Sequence, residues 1–291
     1  MKSKKLLLTL TAALAILLAL FWFFPRDTEP VVVSEVLTLK VHYIDVGQGD
    51  ATLLHGPDFT ILIDTGRHDR NDVVPYLKNL GIESIDLLIG THPHADHIGQ
   101  FPQVLEAFEV QEVWMSGSLQ TTLIFERTLD AILASNAAYN EPRMGDSLAI
   151  GSATIEVVSP QEITDNLNDD SIVTRIHYGE VTFLFAGDAE IEAERKMVIS
   201  GHDLSATILQ VGHHGSGTSS TIEFLEAVKP EVAIYSAGRE NGYDHPNPEI
   251  VDRYEQMDIT LYGTDRYGTI IVESDGIGYS VDLYERQNAN L

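Results

Sequence analysis

From residue 37 onward the chain alternates short apolar runs with turn-forming residues. "LTLKVHYIDV", "DATLLHG" and "FTILIDTG" are rich in β-branched and large apolar residues and are broken by Gly, Pro and Asp, which predicts consecutive strands. "RNDVVPYLKNLGI" predicts a helix ending at Gly81, and "IDLLIGTHPH" is an apolar run of strand length that stops at histidines. Helical spacing covers residues 125–136. "DSLAIGSATIEVVS", "SIVTRIHYG" and "VTFLFAGDAE" return to strands, with Tyr178-Gly179-Glu180 turning a hairpin. Three more predicted helices ("EIEAERKMVIS", "STIEFLEAV", "PEIVDRYEQM") then alternate with the strands "ATILQVG", "EVAIYSAG" and "GTIIVES". Strands followed by alternating strands and helices, twice over, predict an α+β domain over 37–291 with two packed sheets and helices outside. No internal repeat or low-complexity segment interrupts it.

The first 26 residues follow a different pattern. Three lysines (Lys2, Lys4, Lys5) precede an apolar run over 6–24, which ends in Phe21, Trp22, Phe23 and Phe24 before Pro25 and Arg26. As a helix the run measures about 28 Å, close to a bilayer's hydrocarbon thickness. The closing aromatics resemble an interfacial belt, and no small-residue cleavage pattern follows. Residues 1–26 therefore read as an uncleaved membrane anchor whose basic end stays in the cytoplasm, which places the domain outside, periplasmic or extracellular. A cleaved signal, leaving a secreted domain, is the alternative. Residues 27–36 read as a linker.

Composition narrows the chemistry. The chain has no cysteine, which removes disulfides, thiolate zinc sites and a cysteine nucleophile. Its 44 acidic residues against 18 basic ones give a net charge of −26, a field that repels long polyanions unless salt or local cations screen it. An acidic soluble surface explains this charge without any partner. It counts against a protein that grips long nucleic acid through a basic face.

Against this background "THPHADHIGQ" stands out, with His92, His94, Asp96 and His97 in six positions after an apolar strand. In extended geometry His92 and His94 point the same way and can share one ion, while Asp96 and His97, past the turn, can face a second. Imidazole and carboxylate without sulfur suit zinc, manganese or iron. A polar loop that happens to be rich in histidine is the bland reading, and the full H-x-H-x-D-H pattern outweighs it.

This stretch resembles the signature loop of the metallo-β-lactamase superfamily, and similarity extends from Lys40 to Glu285. The resemblance implies a four-layer αββα sandwich with two divalent metal ions, zinc first and manganese second, where the sheets meet. "ILIDTG" with Asp64 is similar to the family's strand-ending aspartate that supports the metal loop. "FLFAGDAE" is similar to the strand-ending Gly-Asp, which would make Asp188 the carboxylate shared by both metals; alone, such an aspartate would be a turn former. "VHYIDVGQGDATLL", "VGHHGSGTSS" and "YDHPNPEIVDRY" together resemble the hydrolase domain of ComEC-type competence proteins. The single apolar helix, without a multi-helix channel or DNA-binding domain, reads as a free-standing relative to which DNA import does not transfer.

Most of the superfamily has a further histidine between the signature loop and the Gly-Asp strand. Here only His177 lies in that interval, inside a strand pattern, and it reads as a surface or core histidine. The ComEC-type pattern has N-x-x-S instead, matched by Asn168 and Ser171, which implies an incompletely held metal with room for water or a phosphate oxygen. His213 and His214 end a strand, and adjacent extended residues point apart, so one can face metal and the other substrate; which does so is open. His245 resembles the last ligand or proton donor, with a plain helix-start histidine as its alternative. Ser216 and Thr218, with amides opening a helix, could cradle an anion, or simply cap the helix.

The resemblance implies hydrolysis of a phosphodiester, with Asp96 or Asp188 orienting the attacking oxygen and His213, His214 or His245 protonating the leaving group. A nucleotide or short nucleic-acid-like strand meets less of the repulsive field than a long duplex. A carbonyl hydrolase of lactonase, thioesterase or β-lactamase type on the same metals is the alternative, and a non-catalytic binding module the second. No protein partner is implied.

Overall fold

A computed structural model describes residues 38–283. The expected anchor over 1–26 and linker over 27–36 lie outside the described residues. Among the described residues no helix is long and apolar enough to cross a membrane.

The first sheet comprises β1 (Leu39–Tyr43), β2 (Thr52–His55), β3 (Thr60–Ile63), β4 (Ser84–Gly90), β5 (Glu109–Met115), β6 (Ala138–Asn140), β14 (Ile270–Ser274) and β15 (Tyr279–Leu283). They run in the order β15-β14-β1-β2-β3-β4-β5-β6. The second comprises β7 (Ser147–Ile150), β8 (Ala153–Ser159), β9 (Val173–Tyr178), β10 (Val181–Phe185), β11 (Ile208–Gln210), β12 (Val232–Tyr235) and β13 (Thr260–Gly263). Its order is β13-β12-β11-β10-β9-β8-β7. Outside the first sheet lie α1 (Val73–Asn79), α2 (Phe101–Ala107) and α3 (Leu123–Ala134). Outside the second lie α4 (Ile191–Ser200), α5 (Ile222–Val228) and α6 (Pro248–Gln256). A one-turn helix, α7 (Thr264–Tyr267), follows β13.

Period-two alternation explains why both sheets are covered on both faces. On β10, Phe183 and Phe185 enter the core between the sheets while Leu184 faces α4–α6. On β3 and β4, Ile61, Ile63, Leu87 and Ile89 face the second sheet, and Leu62, Ile85 and Leu88 face the outer helices. The four-layer expectation is met. The pattern left α2, β5, β6, β13 and β15 unread. "FPQVLEAFEVQEVWM" carries α2 and β5 almost without a break, and β6 is three exposed residues long.

The acids and histidines of the metal motifs follow strands that end at one common edge. β1 leads to Asp50, β3 to Asp64, β4 to His92–His97, β10 to Asp188, β11 to His213 and His214, and β12 to His245. His177 sits on β9, bonded to Glu156 and Arg175 away from this edge.

One buried carboxylate lies outside that edge. Glu194 on α4 is 1% exposed and accepts the backbone N–H groups of Ser220 and Thr221 at the start of α5. Burial pushes its pKa up to about 7, against the pull of those bonds. A raised acid pKa contributes stability that is complete below the unfolded value and is lost as pH rises through the folded one. The free energy of unfolding of the wild type relative to Glu194→Gln should therefore fall between pH 4.5 and about 7, by on the order of 3 kcal/mol. Denaturant titrations of both proteins across that window check it, and a flat difference would refute it.

Candidate metal centre

The shared edge brings two donor groups together around Asp188. His92, His94 and Asp188 present ligand atoms within 4.8 Å of one another, as do Asp50, His97, Asp188 and His214. The two oxygens of Asp188 divide between them. Oδ2 lies 3.5 Å from His92 Nε2, whereas Oδ1 lies 3.2 Å from His97 Nε2 and 3.6 Å from His214 Nε2. His92 and His94 do converge, with Nε2 and Nδ1 2.9 Å apart, but from the bend after β4 rather than from extended chain.

Buried atoms here lack protein partners. His97 Nε2, Asp188 Oδ1 and His214 Nε2 make no hydrogen bond, and such groups are costly unless something answers them. Charge points the same way. Burial works against ionising His97 and His214, yet the surrounding carboxylates win. Asp188 and Asp64 hold His97 well above its ordinary pKa, and Asp188 and Asp50 raise His214 to about 9. The carboxylate cluster thus requires compensating positive charge, which divalent cations supply through the same atoms. The donor set, N and O without S, fits such ions.

Positioning comes from neighbouring side chains. Asp64 accepts from Thr91 through both oxygens, at 2.9 and 2.7 Å, and lies 2.8 Å from His97 Nδ1, which turns His97 Nε2 toward Asp188. Ser171 Oγ accepts the N–H of Asp188 at 3.1 Å and stands 3.4 Å from His92 Nδ1, holding both groups at once. Asp64→Asn should accordingly weaken metal binding at the His97 group by about 10–100-fold, read by chelator competition, while the His92–His94 group keeps its affinity. Unchanged affinity at both would remove Asp64 from this role.

The structure revises the second histidine pair. His213 and His214 do not point apart on extended chain: both have left-handed backbone, with φ of 49° and 56°, in a 3-10 turn after β11. Consequently both rings face Asp188, with His213 Nε2 at 3.8 Å from Oδ2. His213 thereby occupies the His92–His94 side, where the sequence offers no intervening histidine. His214 belongs to the other group.

The anion cradle is also revised. Amides opening α5 are already taken by Glu194. The Thr218 hydroxyl donates to Glu190 at 2.7 Å and pairs with Ser216 at 3.0 Å, so both hydroxyls brace His213 through Glu190, which lies 3.1 Å from His213 Nδ1. Asn168 joins the same network beside Glu190.

Asp96 and His245 belong to neither donor group and stand at the mouth. Asp96 Oδ2 is 3.5 Å from His214 Nε2; burial raises its pKa, but its pairing with His214 and the His97 charge bring it well below the usual carboxylate range. His245 is lowered to about 4 by burial and by His214 and His213, and its Nδ1 is unpaired. With Gln48, His94, Gln120, Thr122, Asp188, His213, His214 and Tyr243 they line a cavity of about 360 Å³. A larger apolar groove of about 540 Å³ beside α3 offers one carboxylate, Glu141, and no histidine.

Asp50 has no assigned role in the sequence beyond its family motif. It is 4% exposed, accepts from Gln210 at 2.8 Å, and is pushed up to about 7 by burial, against the pull of His214 and His97. Gly49 permits this. Its φ is +136°, and a Cβ there would stand 2.4 Å from the Asp96 carbonyl. An acid within two residues of a glycine, in the loop after a strand, was the available signal, the same one that marks Asp64 and Asp188.

With this fold and centre the chain belongs to the metallo-beta-lactamase superfamily, whose family pattern its residues 44–239 match. Its superfamily and donor groups define a metal-dependent hydrolase. Among individual proteins it is similar to ComE operon protein 3 of Bacillus subtilis (strain 168), 31% identical over 251 residues, covering 79% of this chain and 32% of that protein. It also resembles Competence protein ComA of Neisseria gonorrhoeae, 29% identical over 231 residues, covering 78% of this chain and 31% of that one. The chain thus spans about a third of the length of these relatives. Its fold is shared by the metallo-beta-lactamase fold protein YhfI of Bacillus subtilis, with TM-score 0.56 at 13% identity over 82% of this chain and all of that one.

Proposed function

We propose that the chain hydrolyses phosphodiester bonds with two divalent metal ions, zinc or manganese, held by the two donor groups. The observation that carries this reading is the sharing of Asp188 between those groups beside an open cavity lined by histidine, glutamine and carboxylate side chains. Such a pair of cations, when bound, makes water acidic enough to attack near neutral pH and neutralises charge at phosphorus.

The protein's own part is positioning and proton movement. Asp188, His92, His94 and His213 would hold one ion, and Asp188, Asp50, His97 and His214 the other. In the hydrolysis an oxygen of water bonds to phosphorus, the P–O ester bond breaks, and the proton lost by water is made good on the departing oxygen. Asp96, ionised and open to the cavity, orients the water by accepting its hydrogen bond. His245, lining the same cavity, faces the departing oxygen. The membrane reading of residues 1–26 places this activity outside the cytoplasm, which protease shaving of intact cells checks: the domain should be digested.

The decisive assay compares substrate classes. The metal-loaded full chain should cleave bis(p-nitrophenyl) phosphate and leave nitrocefin and a simple lactone intact. Turnover of an acyl substrate in preference to the phosphodiester would move the activity to carbonyl hydrolysis.

A further inference from the structure

Beside the metal cavity lies a second pocket of about 390 Å³ that the reaction above leaves unused. Arg67, Arg70 and Arg239 line it, three of only 18 basic residues in a chain of net charge −26. Gln48 and Tyr243 line both cavities, so the two adjoin. Arg67 hydrogen-bonds to Asp69 and also feels the charge of Asp96, which places it within electrostatic reach of the metal cavity.

The walls are fixed in place. A Cβ on Gly238 would stand 2.8 Å from the Gln48 backbone nitrogen, and one on Gly99 would stand 2.2 Å from that of His68. The first contact locks the Arg239 loop against the Gln48 loop; the second locks the metal-binding loop against the segment carrying Arg67. Gly238 also donates its N–H to the Gln48 side chain at 3.2 Å.

The guanidinium groups are available to an anion. Arg67 and Arg70 pair only with the nearby Asp69 and Asp72, and their side chains are 41% and 45% exposed. Each pair is two-pronged but open to water, so a phosphate offering bidentate bonds can compete with Asp69 and Asp72 for them. Arg239 donates to a neutral group, the carbonyl of Asp265, at 3.3 Å. Asp45 and Glu240 also line the pocket, but Asp45 is engaged with the Gly47 N–H at 3.2 Å. Between the cavities Tyr243 is 69% exposed, and its ring stacks on His245 at 5.8 Å. An exposed aromatic face beside guanidinium groups is how single-stranded nucleic acid is held, base on ring and phosphate on cation.

We infer that this pocket is a subsite for a second phosphate of the substrate, one linkage from the bond cleaved, with Tyr243 as the stacking surface for the unit between them. It rests on the phosphodiesterase reading for its catalytic consequence, and it makes the substrate an oligonucleotide-like chain rather than an isolated diester. It also reconciles the acidic surface with a polyanionic substrate: attraction is confined to a short strip beside the metals.

The test compares one dinucleotide with and without a 5′-phosphate on the metal-loaded full chain. The terminal phosphate should improve kcat/KM by about tenfold, mainly through KM. That ratio, taken within each variant, cancels any loss of folded protein. In Arg67→Ala/Arg239→Ala it should fall to near one, and in the double lysine variant it should lie between. Equal use of both dinucleotides by the wild type, or an undiminished ratio in the alanine variant, would overturn the inference. In parallel, anisotropy of a labelled 5′-phosphorylated dinucleotide on metal-free protein should show binding that the alanine variant loses. This arm holds or fails independently of turnover, so failure of the phosphodiesterase reading remains distinguishable from failure of the subsite.

Discussion

Asp188→Ala should empty both metal positions at once and reduce hydrolysis by at least about a thousandfold. Asp188 is the one residue common to both donor groups, and each of its oxygens faces histidines of a different group. Its carboxylate is held well below its ordinary pKa, burial being outweighed by His97, His214 and His92. Removing it takes away the shared oxygens and the one carboxylate of the His92–His94 group. Elemental analysis after gel filtration should fall from about two equivalents per chain to near zero, with the circular dichroism spectrum unchanged. Retention of two equivalents would show that the groups do not share this carboxylate.

His94→Ala should separate the positions instead. His94 contributes to the group with His92 and Asp188 and to no other, and the second group of Asp50, His97, Asp188 and His214 does not include it. The variant should keep about one equivalent of metal and still lose more than about a hundredfold in turnover, because one cation alone cannot clamp both attacking and departing oxygens. Two equivalents with full activity would dissolve the division into two groups. Single-metal stoichiometry here and near-zero stoichiometry in Asp188→Ala form a pair that no merely structural role of these residues produces.

The comparison with competence proteins bears on reach rather than on chemistry. Similarity is confined to about a third of each relative's length, so it extends to the hydrolase fold and its centre. The arginine pocket is therefore argued from its own residues, and it would give a compact domain a way to hold a short phosphate chain despite its net charge.

Much of this protein is legible in one dimension. The nearly continuous apolar runs of β3, β4 and β10 read as strands buried on both faces, since a doubly covered sheet leaves few positions facing water. The spacing of His92, His94, Asp96 and His97, and the strand-ending acids Asp64 and Asp188, state the chemistry, because few arrangements other than a metal site concentrate imidazole and carboxylate so closely. The tertiary structure decided what local pattern cannot carry. Asp50 becomes a ligand candidate only because β1 ends beside β11, 160 residues away along the chain from its partner Gln210. His213 and His214 both face Asp188 because their backbone turns left-handed, a conformation no extended-strand rule anticipates. Ser216 and Thr218 brace rather than cradle, since Glu190 and Glu194 arrive from a different helix. Donors converge through sheet order and loop closure, and those are set by packing the whole core.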